Sequence, residues 1–161
     1  MRLDLDKLEK DVGEFEIVVD GNVSKVDVRK VCEIDMENLV KEFTKYPSNV
    51  AWYNTVLSLY EAKRIELEES FSRKYAQLDN QCRKDLGEVD RKKDWLFKEK
   101  SIESQILVNE ECVKLKDEYL LVHKVVKRLA ALVKGLDAKG FQLNQVGARA
   151  RKELELDAMG R

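Results

Sequence analysis

Eight cations stand between Leu120 and Lys152: Lys124, Lys127, Arg128, Lys134, Lys139, Arg149, Arg151 and Lys152. Asp137 is the one acid there, so the window carries +7 in a chain whose net charge is −1. Lysine and arginine at this density displace condensed counterions from a phosphate strand. A basic block in a nearly neutral protein points to an anionic partner; the plain alternative is a solvated helix face. On a heptad, Lys127 and Lys134 share one outer position, with Lys124 and Arg128 beside them. Such an outward stripe is what phosphate contact needs. The aromatic residues Trp52, Tyr53, Tyr75, Trp95 and Phe97 are of the type that stacks on unpaired bases, although each also suits a core. Trp95 is the best placed, because it follows the basic run "DRKKDW".

Catalytic chemistry finds little support, and the expectation is a protein that is not an enzyme. His123 is the single histidine and lies inside a hydrophobic helical run, where a structural role is expected. No phosphate-binding G-x-x-x-x-G-K-[ST], no G-x-S-x-G and no H-E-x-x-H occurs. The carboxylates alternate with Lys and Arg as exposed i,i+4 pairs do. Cys32, Cys82 and Cys112 are odd in number, far apart and form no C-x-x-C, so no metal, disulfide or cofactor is expected and a reduced, cytoplasmic compartment is. The start, "MRLDLDKLEK", alternates charged and apolar residues and is not a signal peptide. No run of about 18 apolar residues occurs, so no membrane span is expected.

The elements that must position these residues read as mostly α in one domain of 161 residues. Charged residues make up 38%, with one Pro and seven Gly, which favours long helices. Three regions are expected: an acidic N-terminal region 1–48, a helical core 49–139, and a C-terminal helix 140–161. Residues 2–12 form a short amphipathic helix. Near residues 14–31, Phe15, Ile17 and Val19 alternate, Asp20-Gly21 turns, and Val26 and Val28 alternate again, which predicts a small β-hairpin. Asp35 caps a short helix over Met36–Tyr46. Pro47 ends it, because its ring disfavours helix at the preceding residue. Ser48 caps a long helix from Asn49 to Leu86, whose stripe (Tyr53, Leu57, Tyr60, Arg64, Leu67, Phe71, Lys74, Leu78, Gln81) is only partly apolar. "GEVDRKKD" is a loop, and Ser101 caps a short helix to about Val108.

Asn109 then caps the last long helix, with Glu110 and Glu111 favoured by the dipole of its first turn. Cys112, Leu115, Tyr119, Val122, Val126, Leu129, Val133 and Leu136 follow at alternating spacings of three and four, a coiled-coil-like seam between antiparallel helices. Leu120, Leu121, Val125 and Leu132 add apolar surface off the seam, which hints at self-association. With Gly140 left-handed at C′, Leu136 and Phe141 take the two positions that a Schellman stop pairs. The helix is therefore expected to end at Gly140-Phe141 and release a C-terminal oligomerisation helix capped by Asn144. The contacts expected for oligomerisation are Val126, Leu129, Val133, Leu136, Phe141, Val146, Ala150 and Leu154.

The chain also resembles the UvsY family, recombination mediators of large tailed phages. The likeness lies in "MRLDLDKLEKDV" at the start, "IDMENL" followed by "NVAWYNTVL", "RIELEESFSRKYAQLD" in the centre, and "EKSIESQILVNEECVKLKDEYLLVHKVVKRLAALVKGLDAKGF", whose closing Gly-Phe falls in step. It covers most of the chain, through spacing and order. The resemblance implies a ring-like homo-oligomer that binds single-stranded DNA and helps a RecA-type recombinase replace single-strand-binding protein, in the cytoplasm of the infected host. Carried over by position, it implies DNA contacts at Arg64 and Lys74, with Lys63 and Arg73 adjacent. Two departures stand out. Residues 13–33 look like an insertion, and Glu66, Glu68 and Glu69 dilute the charge of the central helix. Both shift weight to the loop Arg91, Lys92 and Lys93 and to the helix bearing Lys127, Arg128 and Lys134. The alternative is a structural coiled-coil assembly protein without nucleic-acid binding.

Overall fold

The computed structural model describes residues 13–85 and 95–159. Strands β1 (Glu14–Val19) and β2 (Asn22–Asp27) form an antiparallel hairpin. Among the described residues four α-helices follow: α1 (Val28–Cys32), α2 (Leu39–Asp85), α3 (Trp95–Leu107) and α4 (Glu110–Met159). No helix among the described residues is long and apolar enough to cross a membrane. The helix expected at residues 2–12 and the loop at 87–94 lie outside the described residues.

The hairpin follows its sequence signal. Asp20 and Gly21 both take positive φ, 50° and 77°, as the two-residue turn that matches strand twist requires. Alternation then places Phe15, Ile17 and Val26 inside, and Glu16 outside opposite Lys25, at 4.0 Å. The second strand stops earlier than the alternation of Val26 and Val28 suggests. Asp27 is an N-cap whose Oδ1 accepts from the amides of Arg29 (3.0 Å) and Lys30 (3.2 Å), so Val28 opens α1. Those bonds, the Lys30 amide foremost, hold the Asp27 carboxyl below its ordinary range.

Pro47 does not end a helix. Asp35 caps as expected, with Oδ1 accepting from the amides of Glu37 and Asn38, but it caps a 3-10 turn, Met36–Asn38, that runs on into α2. Proline's fixed φ is itself helical, and its main loss is one hydrogen-bond donor. Pro47 is exposed, so water can serve the carbonyl left without that donor. On either side, Tyr46 and Val50 are half-buried and Tyr53 is buried, and this packing outweighs the local penalty.

The helix stop at Gly140-Phe141 is likewise absent: α4 runs unbroken through it to Met159. The seam spacing continues past Leu136 to Gly140, Leu143, Gly147, Ala150 and Leu154, still alternating four and three, so a stop would break a register that packing rewards. Gly140 is buried because the Tyr46 ring occupies the space its side chain would fill, and Gly147 meets Phe43 in the same way. Gly135, in turn, meets the Cys32 sulfur. The glycines serve close approach of neighbouring side chains, and no left-handed residue is needed.

The chain divides into two units, each crossed by α2 and α4. One holds the hairpin, α1, the start of α2 to Leu59, and α4 from Val125. There α2 and α4 run antiparallel, as the contacts of Phe43 with Gly147 and Tyr46 with Gly140 require. Its core is Phe15, Ile17, Val26, Tyr53, Val56, Val126, Leu129, Leu132, Leu136 and Leu143. Each fully buried Leu contributes about 1.5–3 kcal/mol. Lys139 is the one buried charged residue among those described. Its three ammonium protons meet three acceptors: the carbonyls of Val31 (3.2 Å) and Glu33 (2.6 Å), at the end of α1, and the Glu42 carboxylate (2.6 Å).

The other unit is Tyr60–Lys124. Ile102, Ile106 and Cys112 form its cluster, covered by Phe71, Tyr75, Leu78 and Cys82 of α2. Asn109 caps α4 as expected, accepting from the amides of Glu111 and Cys112, both at 3.2 Å. Helix α3 begins six residues before the expected cap Ser101, at Trp95. Arg83 grips Glu99 with two hydrogen bonds, 2.7 and 3.0 Å, and so anchors the turn before Ser101. The expected region borders at 48/49 and 139/140 both fall inside continuous helices.

Two stability predictions follow from the seam. Gly140→Ala destabilises by about 1–3 kcal/mol in urea unfolding, since overpacking against Tyr46 outweighs the gain of alanine in a helix. In a Tyr46→Ala background the same change is neutral or stabilising; destabilisation there would show that the ring is not the cause. Lys139→Met lowers stability by about 2–4 kcal/mol, because it strands the Glu42 carboxylate and two carbonyls.

Candidate nucleic-acid interface

Along the outer side of α4 runs a row at spacings of three and four: Lys127, Ala131, Lys134, Ala138, Gln142, Gln145, Arg149 and Lys152. Every member is exposed and none is acidic. At 1.5 Å per residue the row is about 37 Å long. It lies opposite the buried seam positions, so its direction is set by the packing of Leu129, Leu136 and Leu143. Arg128 is exposed beside it. Lys124 is also exposed, in the other unit. Arg151 stands off the row and donates through Nε to the Gly147 carbonyl at 3.2 Å. Lys139 leaves the basic set, because its charge is spent inside the fold. Asp137 is exposed on the flank of the row.

The central helix is arranged differently. Lys63 pairs with Glu66 at 2.9 Å, and Lys74 pairs with Glu111, whose carboxyl is held low by that contact. Arg73 donates to the Glu69 carbonyl at 3.4 Å. Arg64 is half-buried in the seam, with a buried Nε that has no hydrogen-bond partner. Lys63 and Lys74 are thus paired within the chain and Arg64 is half-buried, while Arg73 is exposed; Glu66, Glu68 and Glu69, also exposed, lie between them. Arg91, Lys92 and Lys93 lie outside the described residues.

Among the aromatic candidates, Tyr53 is buried and Tyr75 packs on the α3 cluster. Trp52 is exposed, edge-on to Tyr53 at 4.7 Å. The side chains of Trp95 and Phe97 lie outside the described residues. Phe141, expected as a helix staple, is instead 66% exposed on a helix that does not stop there; it is also an expected oligomer contact. The alternation of three and four that carries the seam also carries the outer row, and following it past Gly140 would have placed Phe141 on the flank of that row.

Of the residues expected in oligomer contacts, Val126, Leu129 and Leu136 are buried and Val133 half-buried, all against their own chain. Val146 is half-buried, while Ala150 and Leu154 are exposed seam positions. His123 stacks on Tyr119, centroids 5.7 Å apart, with a buried Nδ1 that has no hydrogen-bond partner. The three cysteines are free, and burial pushes the Cys32 thiol up. No group of His, Cys, Asp and Glu among the described residues is placed to hold a metal ion. Comparison of the chain with protein-family models, curated proteins and solved structures finds no match.

Proposed function

We propose that this chain is a non-enzymatic protein that binds single-stranded DNA along the outer face of α4 and acts as a recombination mediator. The observation that carries the reading is the exposed, acid-free row from Lys127 to Lys152. Four cations on one helix face meet a flexible phosphate backbone without regard to sequence. The likeness to the UvsY family supplies the rest of the reading. The partners are a RecA-type recombinase and single-strand-binding protein, and the setting is the cytoplasm of a phage-infected cell. Lys63, Arg64, Arg73 and Lys74 become secondary contacts, since folding already engages most of them.

The mediator works as a homo-oligomer, ring-like as the family likeness implies. The seam of α4 is covered as far as Gly147 and uncovered at Ala150 and Leu154. Around these two, Arg149, Arg151 and Lys152 precede Glu153, Glu155 and Asp157. A neighbouring copy running antiparallel buries the bare seam and brings its carboxylates toward Arg151, which stands off the row. Repeated rows in one assembly then add weak phosphate contacts through effective concentration. The same bare seam would serve a purely structural coiled-coil protein, and DNA binding separates the two.

Binding to an oligonucleotide weakens steeply with salt, by a log–log slope of about −0.7 per phosphate neutralised. Lys127→Gln with Lys134→Gln makes the slope shallower by about 1.4 and weakens all sequences alike. Arg73→Gln with Lys74→Gln changes it less. No binding at low salt, or binding indifferent to salt, sinks the mediator reading and leaves the structural one. Ending the chain after Ala148 gives a smaller species in light scattering with unchanged helical signal per residue; an unchanged oligomer would remove the tail from assembly.

A further inference from the structure

Phe141 has no structural task. It is not a helix staple, since α4 continues, and it is neither a core nor a seam residue. It lines an open groove of about 320 Å³ together with Phe43 and Tyr46 of α2 and with Asp137 and Asn144. Gly140 lines it too, with the Tyr46 ring packed where a side chain would stand. Phe43 is itself 41% exposed. Three rings thus line a recess on the flank of the basic row, and the exposed Phe43 and Phe141 gain less from folding than buried rings would.

We propose that this groove takes an unpaired base of the bound strand, which stacks on Phe141 while its edge faces Asp137 and Asn144. The inference rests on the DNA-binding reading above and names a base subsite within that surface. Position favours a base. Lys134 lies about 10 Å before Phe141 along α4 and Arg149 about 12 Å after it, so phosphates a nucleotide or two to either side of the stacked base have cations to meet. Charge favours a base over a phosphate in the groove itself. Asp137 repels phosphate and accepts an N–H from a base edge, and the Asn144 amide both donates and accepts. A basic peptide is disfavoured, because Lys134, Arg149 and Lys152 surround the approach with positive charge. Stacking needs no particular base, since every base has a π face.

The test compares two strands of equal length and equal phosphate number, one carrying bases and one abasic throughout, on the full-length protein. The unmodified protein binds the base-bearing strand about 5- to 150-fold more tightly, the range expected for one stacked base. Phe141→Ala removes that preference while leaving abasic affinity, its salt slope and thermal unfolding unchanged, because Phe141 is exposed. Phe141→Trp retains the preference, and Phe141→Leu, apolar but without a ring, does not. A strand carrying 2-aminopurine is quenched by the unmodified protein and not by Phe141→Ala. The proposal is overturned if the unmodified protein does not distinguish the strands, if Phe141→Ala still distinguishes them, or if Phe141→Ala weakens both equally. Salt-sensitive abasic binding without base preference would sink this subsite alone. Failure of both strands to bind would sink the DNA-binding reading with it. Quenching absent while an oligo-arginine peptide competes for the groove would assign it to a cationic partner instead.

Discussion

The ring of Tyr46 rests on α4 at Gly140, in the space a side chain there would fill. That contact lets two long helices approach closely where a glycine and a proline, Pro47, would each be expected to interrupt them. Packing on both sides of these residues outweighs a local penalty of about 1 kcal/mol for Gly, and for Pro about 3 kcal/mol in a helix interior. Because α4 does not stop, its seam keeps one register from Cys112 to Leu154. Its outer side therefore keeps one register too, and the cations before and after Gly140 fall in a single row. A stop at Gly140 would have sent Arg149 and Lys152 in another direction.

The fold sorts cations by use. Lys139 sits where three acceptors exhaust its donors, binding α1 to α2 and α4. A buried ammonium is tolerable only with this completeness of partners. Lys63, Lys74 and Arg83 are spent on carboxylates of the same chain. Surface pairs of this kind contribute little to stability. They do neutralise the central helix, so its charge is less available to a partner than a count of residues suggests. The row on α4 has no acid within it, and its charge faces solvent.

The same geometry separates two kinds of exposed apolar surface on α4. Ala150 and Leu154 are seam residues that outrun the cover supplied by α2, and their natural complement is another helix. Phe141 stands off the seam, beside glycine, with two further rings near it. Its surroundings are a recess lined also by the polar residues Asp137 and Asn144.

Much of this was legible in the residues alone. Asp20-Gly21 between alternating apolar runs determined the hairpin, because few other residues accept positive φ at both turn positions. Asp35 and Asn109 determined helix starts, because their side chains satisfy amides that no helix can satisfy internally. The seam from Cys112 to Leu136 determined which side of the last helix is buried, and with it which cations face outward. What only the tertiary structure decided was whether Pro47 and Gly140 end helices, whether Lys139 is solvated or buried, and whether Phe141 is a staple or a free ring. Each depends on what a distant segment places against that residue. Local signals set penalties of about 1 kcal/mol for Gly and about 3 kcal/mol for Pro, and contacts between α1, α2 and α4, far apart in the chain, exceed them.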